Sequence, residues 1–292
     1  MTLKCTFECD HCFLYCSPDA DGTFSLKQLR ILLDELTKLE QAKTIFFEGG
    51  EPFLFYPLLM EGIRRADELG FNIGIVSNGY WATTVDDAVL WLSPLVNRNI
   101  VDVSISDDTF HYGKVVNNTA KNAISALRQL GIPCGSICID PPIIETSENQ
   151  EKGAPIIGGN ARFRGRAVEK LVEDLPKRPA SDLLPECPYE DLENPGRVHV
   201  DPFGHVHLCQ GLSLGNMWDI PLSELIPSYD AKTHPIAGPL LKGGPHELAK
   251  TYGINGDASY VDECHYCYSV RKQLLDRFPK YLAPRQVYGF PP

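Results

Sequence analysis

The sequence predicts an α/β protein: a mostly parallel sheet with crossover helices over about the first 140 residues, followed by a smaller, irregular α+β domain. Three observations carry this expectation. Short β-rich runs alternate with helical stretches in the first half of the chain, and each run ends in glycine or polar residues. After Leu175 the prolines Pro176, Pro179, Pro185, Pro188 and Pro195 stand close together and regular periodicity stops. That change places a domain boundary there, giving residues 1–175 and 176–292.

Taken in order, Ser25 with Gln28 three residues later signals a capping box that opens an amphipathic helix over 26–39. An apolar strand over 44–47 runs into Glu48, Gly49 and Gly50. Further strands over 71–76, 100–105 and 132–139 lead into Ser77-Asn78-Gly79, Ser106-Asp107-Asp108 and Asp140-Pro141. In parallel sheets functional groups collect where strands end, so this edge is the expected active-site rim. Period-two geometry puts Asp102, Ser104 and Ser106 on one strand face and Val103 and Ile105 on the other. Residues 147–166, Gly-rich and polar, read as a long loop over the rim. Further on, residues 197–209 read as a β-hairpin turning at Pro202, Phe203 and Gly204. No internal repeat at solenoid periods is visible.

Composition narrows the function. With 43% hydrophobic and 22% charged residues the chain is of ordinary globular type. It has no apolar run of membrane-spanning length and no secretory layout at its start, so a cytoplasmic protein without a membrane partner is expected. A net charge of -11 argues against nucleic acid, with the short basic run Arg162, Arg164, Arg166 as the exception to weigh. Ten cysteines in a large chain of this kind point to metal rather than disulfides.

Seven of them fall into two groups with ligand-like spacing. Cys5, Cys9 and Cys12 stand as Cys-x-x-x-Cys-x-x-Cys. Three thiolates can hold three corners of a [4Fe-4S] cube and leave the fourth iron open to a ligand. Zinc normally takes four ligands, and Cys16 would supply the fourth, so the triplet alone leaves both readings standing. Cys187, Cys209, Cys264 and Cys267 supply four thiolates, enough to close a second cube or a zinc ribbon. Between the two groups, the strand over 44–47 enters Gly49-Gly50-Glu51-Pro52, where glycines allow close backbone approach and a carboxylate can accept from an ammonium group.

Triplet and glycine turn together resemble the radical S-adenosylmethionine (radical SAM) superfamily. His11 takes the position before the third cysteine, where that family usually carries a flat side chain. The resemblance implies a partial (β/α)6 barrel over residues 1–175 and a SAM-binding [4Fe-4S] cluster on the triplet. It further implies reductive cleavage of S-adenosylmethionine to a 5'-deoxyadenosyl radical that takes a hydrogen atom from substrate. Gly49, Gly50, Glu51 and Pro52 are then expected at the methionine amino group. Ser77-Asn78-Gly79 resembles the family's Thr-Asn-Gly element, and Ser104 and Ser106 are expected beside the ribose and carboxylate. Gly165-Arg166-Ala167 resembles a Gly-Arg-Ala element in which Arg166 pairs with a carboxylate or caps a helix. The cysteine quartet with its hairpin resembles the Twitch domain, the short relative of the SPASM extension, and implies an auxiliary [4Fe-4S] cluster for electron transfer or support.

The expected substrate is a ribosomally made peptide, with dehydrogenation or rearrangement of a small metabolite as the alternative. The absence of a leading recognition domain tempers the peptide reading. An external one-electron reductant of flavodoxin or ferredoxin type completes the scheme. From outside the enzyme class, a zinc-binding interaction module or an iron-sulfur electron carrier fits the cysteines too. Cys134, Ser136, Cys138 and Asp140 share one strand face, which makes Cys138 a weak candidate for returning a hydrogen atom to a substrate radical. A small buried hydrophobe is the plainer role for such a cysteine. His111 and Tyr112 are candidate acid or base groups at the rim, or ordinary surface residues.

Overall fold

A computed structural model describes residues 1–145 and 156–291. The chain forms two compact units, one of residues 1–9 and 16–140, the other of residues 10–15 and 141–292.

In the first unit, parallel strands β1 (Thr44–Phe47), β2 (Asn72–Ser77), β3 (Ile100–Ser106) and β4 (Cys134–Ile137) lie in sequence order β1-β2-β3-β4. Helices α1 (Leu26–Leu36), α2 (Tyr56–Glu68), α3 (Val85–Leu92) and α5 (Thr119–Gln129) alternate with them, and the short α4 (Thr109–Tyr112) follows β3. The capping box at α1 is formed: Gln28 N donates to Ser25 Oγ at 3.3 Å and Ser25 N to Gln28 Oε1 at 2.9 Å. Helix α2 buries Leu59, Gly62, Ile63 and Ala66, and α5 buries Ala120, Ala123, Ala126 and Leu127, the stripes that 3.6 residues per turn dictate. These stripes share one core with Ile73, Ile75, Val103 and Ile105. Asp102, Ser104 and Ser106 alternate with that core set and stay half-buried on the other sheet face. One apolar and one polar face suits a barrel wall, whereas a doubly wound sheet is covered by helices on both sides.

The second unit is built from small pieces. Strand β5 (Ile143–Glu145) pairs antiparallel with β6 (Ile156–Gly158); of the 147–166 stretch the structure describes 156–166, which holds β6 and the lead into α6 (Arg166–Lys170), while residues 146–155 fall outside the described residues. Phe163 and Val172 pack with Val261, tying the α6 region to the later chain. Strand β7 (Arg178–Pro179) pairs with β11 (Ser259–Tyr260). Strands β8 (His199–Val200), β9 (His205–Cys209) and β10 (Leu212–Asn216) make an antiparallel sheet, with the β8–β9 turn at the expected Pro202-Phe203-Gly204. Asp201 holds that turn, accepting from Phe203 N at 2.9 Å, His205 N at 3.0 Å, His205 Nδ1 at 2.9 Å and His207 Nε2 at 3.0 Å. Helices α7 (Leu222–Leu225), α8 (Ala237–Tyr252) and α9 (Glu263–Gln273) complete the unit. Asp262 caps α9 by accepting from His265 N at 2.7 Å.

Candidate functional sites

The start of the chain runs beside the turn that ends β1. Gly50 N donates to Thr2 O at 2.7 Å and Glu51 N to Lys4 O at 2.8 Å, and Thr2 pairs in parallel with Gly49. A Cβ on Gly49 would stand 2.2 Å from Thr2 O, and one on Gly50 would stand 2.0 Å from Lys4 O. The two glycines therefore admit the chain's own cysteine-bearing segment, a role that precedes any approach to a ligand.

Glu51 is fully buried, and its carboxylate is occupied from within. Oε1 accepts from Phe53 N at 2.9 Å and Ser77 Oγ at 3.0 Å, and Oε2 accepts from Asn78 N at 2.7 Å. Burial pushes its carboxyl up to about 7, although these donors work in the opposite direction. Ser77 Oγ also accepts from Gly79 N at 3.1 Å and Trp81 Nε1 at 3.0 Å. Pro52 is buried at the head of a short 3-10 turn over Pro52–Phe55.

Asn78 reaches back to the cysteine loop. Its Nδ2 donates to Thr6 Oγ1 at 3.1 Å and to Cys5 Sγ at 3.6 Å, and Phe7 N donates to the same sulfur at 3.5 Å. Tyr112 hydroxyl donates to Asn78 O, and the Phe7 ring meets His111 and Tyr112 edge-on, with centroids 5.3 and 5.6 Å away. Asp108 caps α4 and bonds His111 Nδ1 at 2.8 Å. Among the remaining rim residues, Ser104 and Ser106 are half-buried, and Ser104 Oγ donates to Asp102 Oδ2 at 2.6 Å. Cys16 is buried, Cys134 half-buried and Cys138 exposed. The Cys138 thiol donates to Asp140 at 3.7 Å and is raised in pKa by partial burial and the Asp140 charge.

Cys5 and Cys9 lie in the first unit and Cys12 in the second. Arg166 opens α6, and its backbone N–H donates to Cys12 O at 3.0 Å. Gly165 sits at φ +63°, with its Cβ position 2.5 Å from Phe13 Cα, so the Gly-Arg-Ala element seats the backbone next to the third cysteine. His11 is buried. The basic run is no surface patch: Arg164 and Arg166 are buried, and Arg162 lies over the Tyr189 ring at 3.4 Å.

Cys187, Cys209, Cys264 and Cys267 line one pocket together with Arg164 and Arg271. Helix α9 presents Cys264, Cys267 and Arg271 at i, i+3 and i+7, one helical face. Backbone N–H groups of Tyr189 and Glu190 point at the Cys187 sulfur, and Arg164 Nη1 donates to Cys209 Sγ at 2.7 Å. Burial pushes the Cys267 thiol up to about 11 and raises Cys187 and Cys264 as well.

Residues 1–147, half of the chain, match the Radical SAM superfamily. The chain belongs to the radical SAM superfamily. Members of that superfamily use a [4Fe-4S] cluster and S-adenosylmethionine. It is 28% identical over 126 residues to YydG of Bacillus subtilis (strain 168), whose name assigns it to peptide biosynthesis. It is 27% identical over 126 residues to the tungsten-containing aldehyde ferredoxin oxidoreductase cofactor-modifying protein of Pyrococcus furiosus. Each match covers 43% of this chain and only 40% and 32% of those relatives. Among solved structures, BtrN in complex with AdoMet and 2-DOIA aligns with a TM-score of 0.52 at 16% identity, covering 91% of this chain and 94% of BtrN, a likeness of fold.

The residues present in this radical SAM chain fit iron-sulfur sites. Amide donors aimed at sulfur, as at Cys5 and Cys187, are what a cluster thiolate takes and a neutral thiol uses poorly. Arg164 and Arg271 escaped the sequence reading. The i+4 spacing of Cys267 and Arg271 was a signal for one, while Arg164 was visible only as part of a short basic run weighed against the net negative charge.

Proposed function

We propose that the chain holds its SAM-binding [4Fe-4S] cluster on Cys5, Cys9 and Cys12 and an auxiliary [4Fe-4S] cluster on Cys187, Cys209, Cys264 and Cys267, in a Twitch/SPASM-like second domain after a barrel of residues 1–175. When bound, the first cluster and S-adenosylmethionine supply a 5'-deoxyadenosyl radical that takes a hydrogen atom from substrate. Phe7 N and Asn78 Nδ2 donate to the Cys5 sulfur and orient the loop that carries it. In this reading the Gly49–Pro52 turn offers backbone carbonyls to the methionine ammonium. Glu51 and Ser77 act through that turn, because their polar atoms are bonded to the rim itself. Ser104 and Ser106 face the ribose and carboxylate from the polar sheet face, with His11 and Arg166 as further contacts. Such a site must also exclude water and hold substrate close, since a primary carbon radical attacks most C–H bonds it meets.

The single observation that carries the proposal is the bonding of the glycine turn and Asn78 to the segment bearing Cys5. A peptide is the substrate class favoured by the likeness to YydG, and a flavodoxin- or ferredoxin-type protein is the electron donor. In this reading Cys138, exposed just past the end of β4, is the candidate for returning a hydrogen atom to a substrate radical. The test is anaerobic incubation with S-adenosylmethionine and dithionite. Wild-type protein is expected to release 5'-deoxyadenosine, and the C5A/C9A/C12A variant is expected to release none. Equal release from both would overturn the assignment.

A further inference from the structure

Arg164 and Arg271 are 7% and 2% exposed, and both line the pocket of the cysteine quartet. An ionised guanidinium in such a place is costly unless a negative charge compensates it. Among the described residues, no carboxylate makes a hydrogen bond or ion pair with either. Arg164 donates to Cys209 Sγ at 2.7 Å, and Arg271 donates to Gln210 O at 3.3 Å and lies beside the Cys267 thiol. The Nε–H of each is buried with no partner. The nearby acids are engaged elsewhere: Glu263 accepts from Leu184 N at 3.0 Å and faces Arg178, and Glu190 pairs with Arg197 at 3.2 Å. Phe13 and Tyr288 rings lie 5.0 and 5.7 Å from the two guanidinium carbons, which adds only weak cation–π attraction. Four neutral thiols bring no charge at all.

We infer that Arg164 and Arg271 are the built-in counter-charges of the auxiliary cluster and hold its reduction potential up. This inference rests on the auxiliary-cluster reading above. A [4Fe-4S] core of two positive charges bound by four thiolates carries a net double negative charge, which two guanidiniums balance. One-electron reduction converts the core from the 2+ to the 1+ state, with no bond made or broken, and adds a third negative charge. In a low-dielectric pocket that added charge is stabilised by fixed cations close to the sulfurs, so the oxidised-to-reduced balance shifts toward reduction. The arginines are positioning and tuning residues, outside the ligand set.

The experiment uses the full chain with C5A/C9A/C12A, so that only the auxiliary site is read, and titrates it with titanium(III) citrate followed by electron paramagnetic resonance. About four irons per chain are expected in this background. Zinc, or no metal, would sink the auxiliary-cluster reading itself and this inference with it. With iron retained, R164Q and R271Q are each expected to disfavour the reduced state at least tenfold, a fall of about 59 mV in midpoint potential. R164K and R271K, which keep the charge, are expected to recover most of that fall. An unchanged potential in iron-loaded Gln variants would overturn the inference and leave the cluster reading intact. Where a Gln variant fails to take up iron, uptake by the matching Lys variant supports the charge requirement, and failure of both shows a structural role and overturns it.

Discussion

Glu51 and the two glycines before it show how one residue can be bound by several duties. Gly49 and Gly50 leave room for the backbone of Thr2 and Lys4, and Glu51 then bonds the turn to the end of β2 through Ser77 and Asn78. Gly50→Ala is therefore expected to destabilise the protein by about 3 kcal/mol or more. It should also lower iron at the N-terminal site, as measured by thermal melting and iron analysis. Because burial lifts the Glu51 carboxyl from 4.5 to about 7, the folded protein holds its proton where the unfolded chain has lost it. Its contribution to stability is thus fully present below pH 4.5 and falls as pH rises toward 7, by about 3 kcal/mol in all. Denaturant unfolding of the metal-free protein should show this slope, and E51Q should remove it. A wild-type and E51Q pair with parallel pH profiles would contradict the assignment.

At the scale of elements, the parts visible in sequence are those whose signals repeat locally. The four strands and the stripes of α2 and α5 are written as periods of two and 3.6, and the α1 cap and the β8–β9 turn as short residue patterns. Pairing of the first residues with the glycine turn has no such signature, because it amounts to one isolated bridge, Thr2 with Gly49, and two backbone hydrogen bonds, to Thr2 O and Lys4 O. The fourth strand is shorter than its apolar run, Cys134–Ile137 in place of 132–139, since Ile132 belongs to the turn after α5. Both arginines at the quartet were hidden for a different reason. A cation whose partner is sulfur leaves no opposite charge in the sequence to pair it with. Within the β8–β9 hairpin, Asp201 gathers four donors, so Asp201→Ala is expected to cost about 3 kcal/mol. Chemical denaturation would measure that cost, and a loss below about 1 kcal/mol would show the turn to be self-sufficient.

For the molecule as a whole, the parallel sheet with one helix-covered face and the pocket of four cysteines describe two candidate sites built by different physics. The first depends on backbone approach and amide donors around Cys5, the second on side-chain charge around Cys209 and Cys267. No described helix is long and apolar enough to cross a membrane. Two disjoint ligand sets are the central claim, and metal analysis of anaerobically reconstituted protein tests it most directly. Wild-type chain is predicted to hold about eight irons, and both C5A/C9A/C12A and a variant with Ala at the four quartet positions about four each. Stoichiometric zinc in place of iron, or a wild-type content of about four that only one of the two variants lowers, would contradict it.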